Sequence, residues 1–401
     1  MKRTPFSVVA LVVGVLLMPA FATTSASAAA PGPGARDLHP SRACHADLDK
    51  LEANCLAEVM VGPQGAHPKA TTPPSTGLTP AQLRDAYKLT GLVSGGRTVA
   101  IVDAYGYPNL ERDLATYRST FGLPACTVAN GCLRIIDQTG GAKLPAVNLG
   151  WAQEQALDVD AVSATCPDCK ILVVQASSNS FANLGTAVNT AARQPGVVAI
   201  SNSYGGSDAP DSVLGSYYNH PGIAITASTG DSGYRGGSYP ASSSYVTAVG
   251  GTSLVRATGT ARGWSETVWA GTGSGCSGYN TALTAAAPFG TGCTKRAVAD
   301  VAAAADPAKG GLAVFYPTTA TTSTWGQIGG TSESAPIIAA VYALSGNTKG
   351  YANAIPYSKP TSLFDVTTGS NGTCTVAQWC KARVGWDGPT GLGTPNGVGA
   401  F

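Results

Sequence analysis

The feature of this sequence that most restricts its fold is a succession of short apolar runs at residues 99–102, 171–174, 197–200, 223–227 and 246–249, each closed by a polar or glycine-rich turn. Runs of four or five residues rich in valine and isoleucine have the length of buried strands. Between them lie helix-length segments at 110–121, 152–164, 181–193 and 211–220. This alternation predicts an α/β fold, a doubly wound, mostly parallel sheet with helices on both faces, whose sites gather at the carboxyl ends of the strands. Asp103, Ser203, Tyr204 and Asp231 all follow such ends. A further helix is expected after residue 78, with Thr79 as N-cap and Pro80 at the first helical position.

The N-terminal part has a different character. Residues 1–28 combine a basic start (Lys2, Arg3), an apolar stretch at 8–18 and the small residues Ala26, Ser27 and Ala28, the pattern of a secretory signal peptide. No other stretch is long and apolar enough to cross a bilayer, so a secreted, extracellular protein is expected. The ten cysteines fall into five close pairs, Cys44/Cys55, Cys126/Cys132, Cys166/Cys169, Cys276/Cys293 and Cys374/Cys380, for which neighbour pairing is the simplest connectivity. Cys166-x-x-Cys169 also has the spacing of a redox motif or a zinc half-site, but no second such pair or histidine cluster accompanies it, which favours a structural disulfide. Residues 29–77 read as a short pro-region or N-terminal arm, with a helix-like acidic patch around 47–58 and a linker rich in Pro, Thr and Gly at 62–77. Residues 78–401 form the main domain. A net charge of +2 with 12% charged residues leaves no electrostatic footprint for nucleic acid or an anionic membrane, and a monomer is expected.

The chemistry gathers around residues 329–336, GGTSESAP, followed by the apolar run 337–344. Ser332 sits on a glycine turn just ahead of a buried helix. Glycines there let the backbone approach a substrate carbonyl, and the free N–H groups at the helix start favour an incipient oxyanion. A Ser/Thr N-cap with Pro336 in the first helical turn would look similar. Ser334 is the weaker candidate, lying further into the helix. Glu154 and Asp158 are four apart and share one helix face, while Asp160 points elsewhere. Two carboxylates sequestered together hold a proton between them and would serve as a general base in acid, though the same spacing fits a solvated acidic face. Histidine is the usual base for a serine nucleophile. Here His39, His45 and His67 lie in the arm and His220 in a turn, so a carboxylate is the better candidate.

Taken together, Glu154-x-x-x-Asp158, Ser228-Thr-Gly-Asp231-Ser-Gly and Gly330-Thr-Ser332-x-Ser-Ala-Pro resemble, in order, the motifs of the sedolisins, serine-carboxyl peptidases of subtilisin-like fold. The resemblance runs from about Leu78 to the C-terminus. It implies that Ser332 is the nucleophile, Glu154 the general base and acid, Asp158 its orienting partner and Asp231 the oxyanion-stabilising acid. Ser203, Tyr204 and Gly205 would form a substrate-binding strand that pairs with an extended polypeptide. The sequence departs from the family at Glu333, where small residues are common, at Asp103, where a longer Glu often extends the carboxylate network, at Tyr204, where Trp is frequent, and in its short pro-region.

Asp365-Val366 and Gly385-Trp386-Asp387 supply carboxylates and turn carbonyls suited to a hard cation, or simply aspartates that cap turns. The resemblance implies one Ca2+, with carboxylates from Asp365 and Asp387 and carbonyls from Val366, Arg383 and Gly385, although Gly is usual at the position of Arg383. The expected activity is that of a secreted, acid-acting endopeptidase. The alternatives are a subtilisin-type protease, which the lack of a His-Gly-Thr-His-type helix opposes, and a non-catalytic secreted binding protein on the same fold.

Overall fold

All five apolar runs become strands of one eight-stranded sheet. Its order is Trp264–Val268, Thr247–Arg256, Ala224–Ser228, Val197–Asn202, Thr98–Ala104, Lys170–Ala176, Leu133–Asp137, with Val301–Ala304 also paired to Thr247–Arg256. Every pairing is parallel except that of Trp264–Val268. The computed structural model describes residues 1–2, 38–45, 51–347 and 349–401. The apolar stretch and cleavage residues assigned to a signal peptide lie outside these.

The central strands are apolar on both sides because both sides are covered, which is why they read as continuous runs. Val99, Ile101, Ile171 and Val173 face one core, which includes residues of the helices Leu149–Thr165 and Thr331–Ser345. Ala100, Val102, Leu172 and Val174 face the other, with Phe181, Leu184 and Val188 of the helix Phe181–Ala192. Each fully buried Val, Leu or Ile contributes about 1.5–3 kcal/mol by leaving water.

The chain lays Lys170–Ala176 and Leu133–Asp137 on one side of Thr98–Ala104 and Val197–Asn202 on the other. That reversal opens a crevice at the carboxyl ends of the strands. Asp103 and Ser203 stand at it.

The helices at 110–120, 149–165 and 181–192 form where expected. Thr79 and Gln82 close a reciprocal capping box on Pro80–Ala86. The helix expected over 211–220 is only Asp211–Leu214, followed by the 3-10 turn Gly215–Tyr217. At Gly215, where the two meet, the backbone presses on Tyr245: an added Cβ would lie 2.9 Å from that ring.

The arm departs further from expectation. Residues 47–50 lie outside the described residues, but from Leu51 to Glu58 the chain is extended rather than helical, with strands Asn54–Cys55 and Glu58–Val61. The N–H groups that a helix would turn inward are spent elsewhere: those of Leu56 and Ala57 go to Glu154, and the Cys44–Cys55 disulfide holds the strand from its other end. His39–Arg42, Glu58–Val61, Ser323–Gly329 and Leu312–Pro317 make a second, antiparallel sheet in that order. The segment read as a linker is docked on this sheet, with the Ala70 N–H donating to Thr324 Oγ1 at 2.9 Å and Thr76 Oγ1 to Gln327 Oε1 at 2.6 Å. All five neighbour disulfides form, Cys166–Cys169 included.

Candidate active site

The helix Leu149–Thr165 begins at Asn148, whose side chain caps the Trp151 N–H, and is buried without a break from Trp151 to Thr165. Such a helix has no solvated face, so its carboxylates sit in the protein interior. Glu154 and Asp158 share one side and are fully buried, as is Asp103 at the end of its strand. Burial raises the pKa of all three well above the usual range, and the negative charge of Asp103 raises Glu154 and Asp158 further. Asp160, two residues on, accepts instead from the Phe315 N–H.

Ser332 arrives from the opposite wall. Its helix, Thr331–Ser345, starts from Gly330 at φ 98°, a left-handed conformation that favours glycine, and no side chain caps it. An N-cap role for the serines is therefore not what the structure has. Pro336 stands at the sixth helical position, beyond the first turn. Without an N–H it leaves the Ser332 carbonyl unclaimed within the helix, and Ser203 Oγ lies 3.3 Å from that oxygen while donating to Asp158 Oδ1 at 2.8 Å. Ser332 Oγ donates to the Ser203 carbonyl at 3.3 Å, and its hydroxyl also favours the ionised form of Glu154. Ser334 is buried, with no hydrogen-bond partner for its hydroxyl among the described residues. Glu333 is buried too, and burial pushes its carboxyl toward the neutral form.

Asp231 follows the strand Ala224–Ser228. Its Oδ1 accepts from the Thr331 N–H at 2.9 Å and from Thr331 Oγ1 at 2.7 Å, while Oδ2 has no partner among the described residues. Burial, with the charge of Glu58, pushes its pKa up to about 8, so it carries a proton in acid and can donate through the free oxygen.

The strand at Ser203, Tyr204 and Gly205 is already paired. Asn54 and Cys55 run antiparallel to it, opposite Gly205 and Tyr204, and the Leu56 N–H reaches the Ser203 carbonyl at 3.3 Å. The Leu56 and Ala57 N–H groups also donate to Glu154 Oε2, at 2.9 and 2.8 Å. The Tyr204 ring points into the core, its hydroxyl donating to Asn202 Oδ1 at 2.8 Å. The structure thus brings Glu154, Asp158, Ser203, Asp231 and Ser332 to one crevice and adds Asp103, Thr331, Leu56 and Ala57. Asp103 was visible at a strand end. Nothing in the sequence marked the arm as the occupant of the crevice.

No histidine enters this site: His220 Nε2 bonds Asn189 and the Tyr217 carbonyl, and His67 bonds Tyr316. At the C-terminal loops, Asp365 Oδ2 accepts from the Gly385 N–H at 2.8 Å, and Asp387 accepts from the Arg383 N–H at 3.1 Å and from the Thr390 N–H and hydroxyl. Burial, and to a smaller extent the charge of Asp365, push Asp387 up to about 7 despite these donors. Among the described residues no group of three or more His, Cys, Asp or Glu is placed to hold a metal.

No family model matches the chain. Kumamolisin of Bacillus sp. (strain MN-32) is 33% identical over 365 residues, covering 80% of this chain and 63% of kumamolisin. Tripeptidyl-peptidase sed1 of Aspergillus fumigatus (strain ATCC MYA-4609 / CBS 101355 / FGSC A1100 / Af293) is 43% identical over 77 residues, 17% of this chain and 12% of the relative. The chain therefore spans less than two thirds of the length of either. Among solved structures, Pseudomonas sedolisin, a serine-carboxyl proteinase complexed with two molecules of pseudo-iodotyrostatin, matches with a TM-score of 0.66 at 23% identity, over 80% of this chain and 96% of that one. The architecture is accordingly the subtilisin-like α/β fold.

Proposed function

The chain belongs to the sedolisin family, and from that membership we propose that it is a secreted, acid-acting serine-carboxyl endopeptidase that hydrolyses polypeptides through an acyl-enzyme on Ser332. The observation that carries the reading is the convergence of a glycine-turn serine, a buried carboxyl pair and a separate protonated aspartic acid on one crevice. In this mechanism Ser332 Oγ attacks the scissile carbonyl and Glu154 takes its proton, then returns it to the leaving amine. Asp158 is given the part of orienting the Glu154 carboxyl; burial and the charge of Asp103 hold the affinity of Glu154 for a proton high, and Glu154 in turn raises that of Asp158. Neutral Asp231 donates to the oxyanion, which an ionised carboxylate would repel. Ser203 and Gly205 offer backbone partners to an extended substrate.

A subtilisin-type mechanism lacks its histidine here, and a non-catalytic binding protein has no need for these four groups together. The experiment is hydrolysis of a denatured protein in acid by wild type, Ser332→Ala and Ser334→Ala. Turnover is expected to vanish in the first variant and persist in the second. Loss in Ser334→Ala with retention in Ser332→Ala would contradict the reading.

Residues 1–28 would be the signal peptide, 29–77 the arm and 78–401 the peptidase domain, working as a monomer. Secretion is supported by the five disulfides; no helix among the described residues is long and apolar enough to cross a membrane. One Ca2+ fits the C-terminal loops. Asp387 is a buried carboxyl whose pKa is raised in part by a second carboxylate, a situation that a cation would relieve, and no hydrogen bond among the described residues ends on the carbonyls of Val366, Arg383 or Gly385. Those carbonyls with Asp365 and Asp387 would hold the ion, whose part is to fix the loops rather than to join the chemistry.

A further inference from the structure

An open cavity of about 420 Å³ adjoins the site, with Arg235 at its border, and we infer that Arg235 fixes the substrate class: polypeptides with an acidic side chain on the acyl side of the scissile bond. The inference rests on the peptidase reading and adds to it the side chain that the site selects.

The walls of the cavity place it on that side. Gly205 and Gly206 form one wall, on the strand offered to an extended substrate, and Gly230 and Asp231 form another. Asn54 and Leu56 of the arm border the cavity, whereas Ala57, whose N–H goes to Glu154, does not. Glu154 serves the leaving amine, so the cavity receives side chains from the opposite, acyl side of the bond. Walls made largely of glycine leave room for many shapes. Charge is then what discriminates among them.

Two guanidinium groups and one carboxyl group border the cavity: Arg42, Arg235 and Asp231. The carboxyl is neutral in acid, since burial pushes its pKa up to about 8. Arg42 is already engaged, donating from Nη2 to Ser232 Oγ at 2.6 Å and to the Asp231 carbonyl at 3.3 Å. Arg235 is exposed, and its Nε donates to the Ser232 carbonyl at 3.1 Å. Among the described residues its side chain has no further hydrogen bond and no salt bridge, which leaves the terminal N–H groups for a ligand. A guanidinium keeps its charge throughout the acid range. The loop that carries it is fixed: the N–H groups of Gly233, Tyr234 and Gly236 donate to the carbonyls of Gly271, Asn371 and Ser274 at 2.7, 2.9 and 3.2 Å. The buried Asn371 side chain ties the same segment by donating to the Thr272 carbonyl and Ser274 Oγ. A cation held on a fixed loop, beside a cavity with no negative charge in acid, binds a carboxylate and repels an ammonium group.

The test is kcat/KM of the purified protein at about pH 5, where a glutamate side chain is mostly ionised. The substrates are four peptides that differ only in the residue supplying the scissile carbonyl, namely glutamate, glutamine, leucine or lysine, with the cut located by mass spectrometry. Wild type is expected to prefer glutamate over lysine by ~10-fold or more, since like charges are set together in the second case. Glutamate should exceed glutamine by ~3-fold, the size of a partly exposed charge pair. Arg235→Gln should bring glutamate and glutamine level, and Arg235→Glu should reverse the order of glutamate and lysine. Ratios taken within one protein do not depend on how much of a variant folds. Similar rates for glutamate and lysine in wild type, or a glutamate preference that both variants leave unchanged, overturn the inference. A preference lost in Arg42→Ala and kept in Arg235→Gln overturns the assignment to Arg235. Digestion of a denatured protein with none of the four peptides cut overturns the inference and leaves the peptidase reading standing, whereas failure of both overturns both.

Discussion

Neither oxygen of Asp103 has a hydrogen-bond partner among the described residues, yet its charge raises the affinity of Glu154 and Asp158 for protons. Charges act strongly at short range where water is excluded. Asparagine at this position keeps the shape and removes the charge, so the carboxyl pair should release its proton at lower pH. The acid limb of the kcat/KM profile of Asp103→Asn is expected to move downward; a limb that stays in place would contradict the electrostatic role. Ser332, Glu154 and Asp158 were legible as candidates because their signals are local, a glycine turn and a four-residue spacing. The company Asp103 keeps is not local. It depends on which helix packs over its strand end, and spacing along the chain carries no trace of that.

Elements were legible where one period dominates. The strands and the long helices appear within a few residues of expectation because each is apolar on the faces it buries. The arm misled because its acidic patch has the composition of a helix, while the extended form is favoured by what surrounds it: a disulfide to Cys44, two N–H groups on Glu154 and a sheet edge at Gly329. The helix at Ser332 was legible in place and not in detail, since Pro336 lies deeper than a first-turn proline would. At the C-terminal loops the prediction concerns the ion. A cation bound only by the folded state raises stability by mass action. Removal of Ca2+ with a chelator is expected to lower the melting temperature of wild type and to leave that of Asp387→Ala unchanged. An equal chelator response in the two proteins would contradict the site.

At the scale of the whole molecule, buried carboxyl groups include those paired with arginine and those of the candidate site, which are not. Arg296 and Asp300 form a fully buried pair, but Asp103, Glu154, Asp158 and Glu333 are buried with no salt-bridge partner among the described residues. Asp231 shows the consequence most plainly. Its pKa rises from 3.8 in the unfolded chain to about 8 in the fold, so the folded state binds this proton more tightly, and the stability it contributes is complete below about pH 4 and is lost as pH climbs toward 8. Glu154, Asp158 and Asp103 act in the same direction. The melting temperature is expected to fall as pH rises across that window, and to fall less in Asp231→Asn. A melting temperature that rises from pH 4 to 8 would contradict this.

The same protons govern turnover. Asp231 must keep its proton to donate to the oxyanion, and the Glu154/Asp158 pair must have a vacancy for the proton of Ser332, so the account requires a bell centred in acid whose limbs belong to the carboxyls as a set. Asparagine at 231 keeps a donor that cannot ionise. The decisive measurement is kcat/KM against pH for hydrolysis of a peptide by wild type, Asp231→Asn and Asp231→Ala. The account predicts an acid optimum in wild type, more activity in Asp231→Asn than in Asp231→Ala, and an alkaline limb extended upward in Asp231→Asn. A neutral or alkaline optimum in wild type, or an alkaline limb that Asp231→Asn leaves where it was, would contradict it.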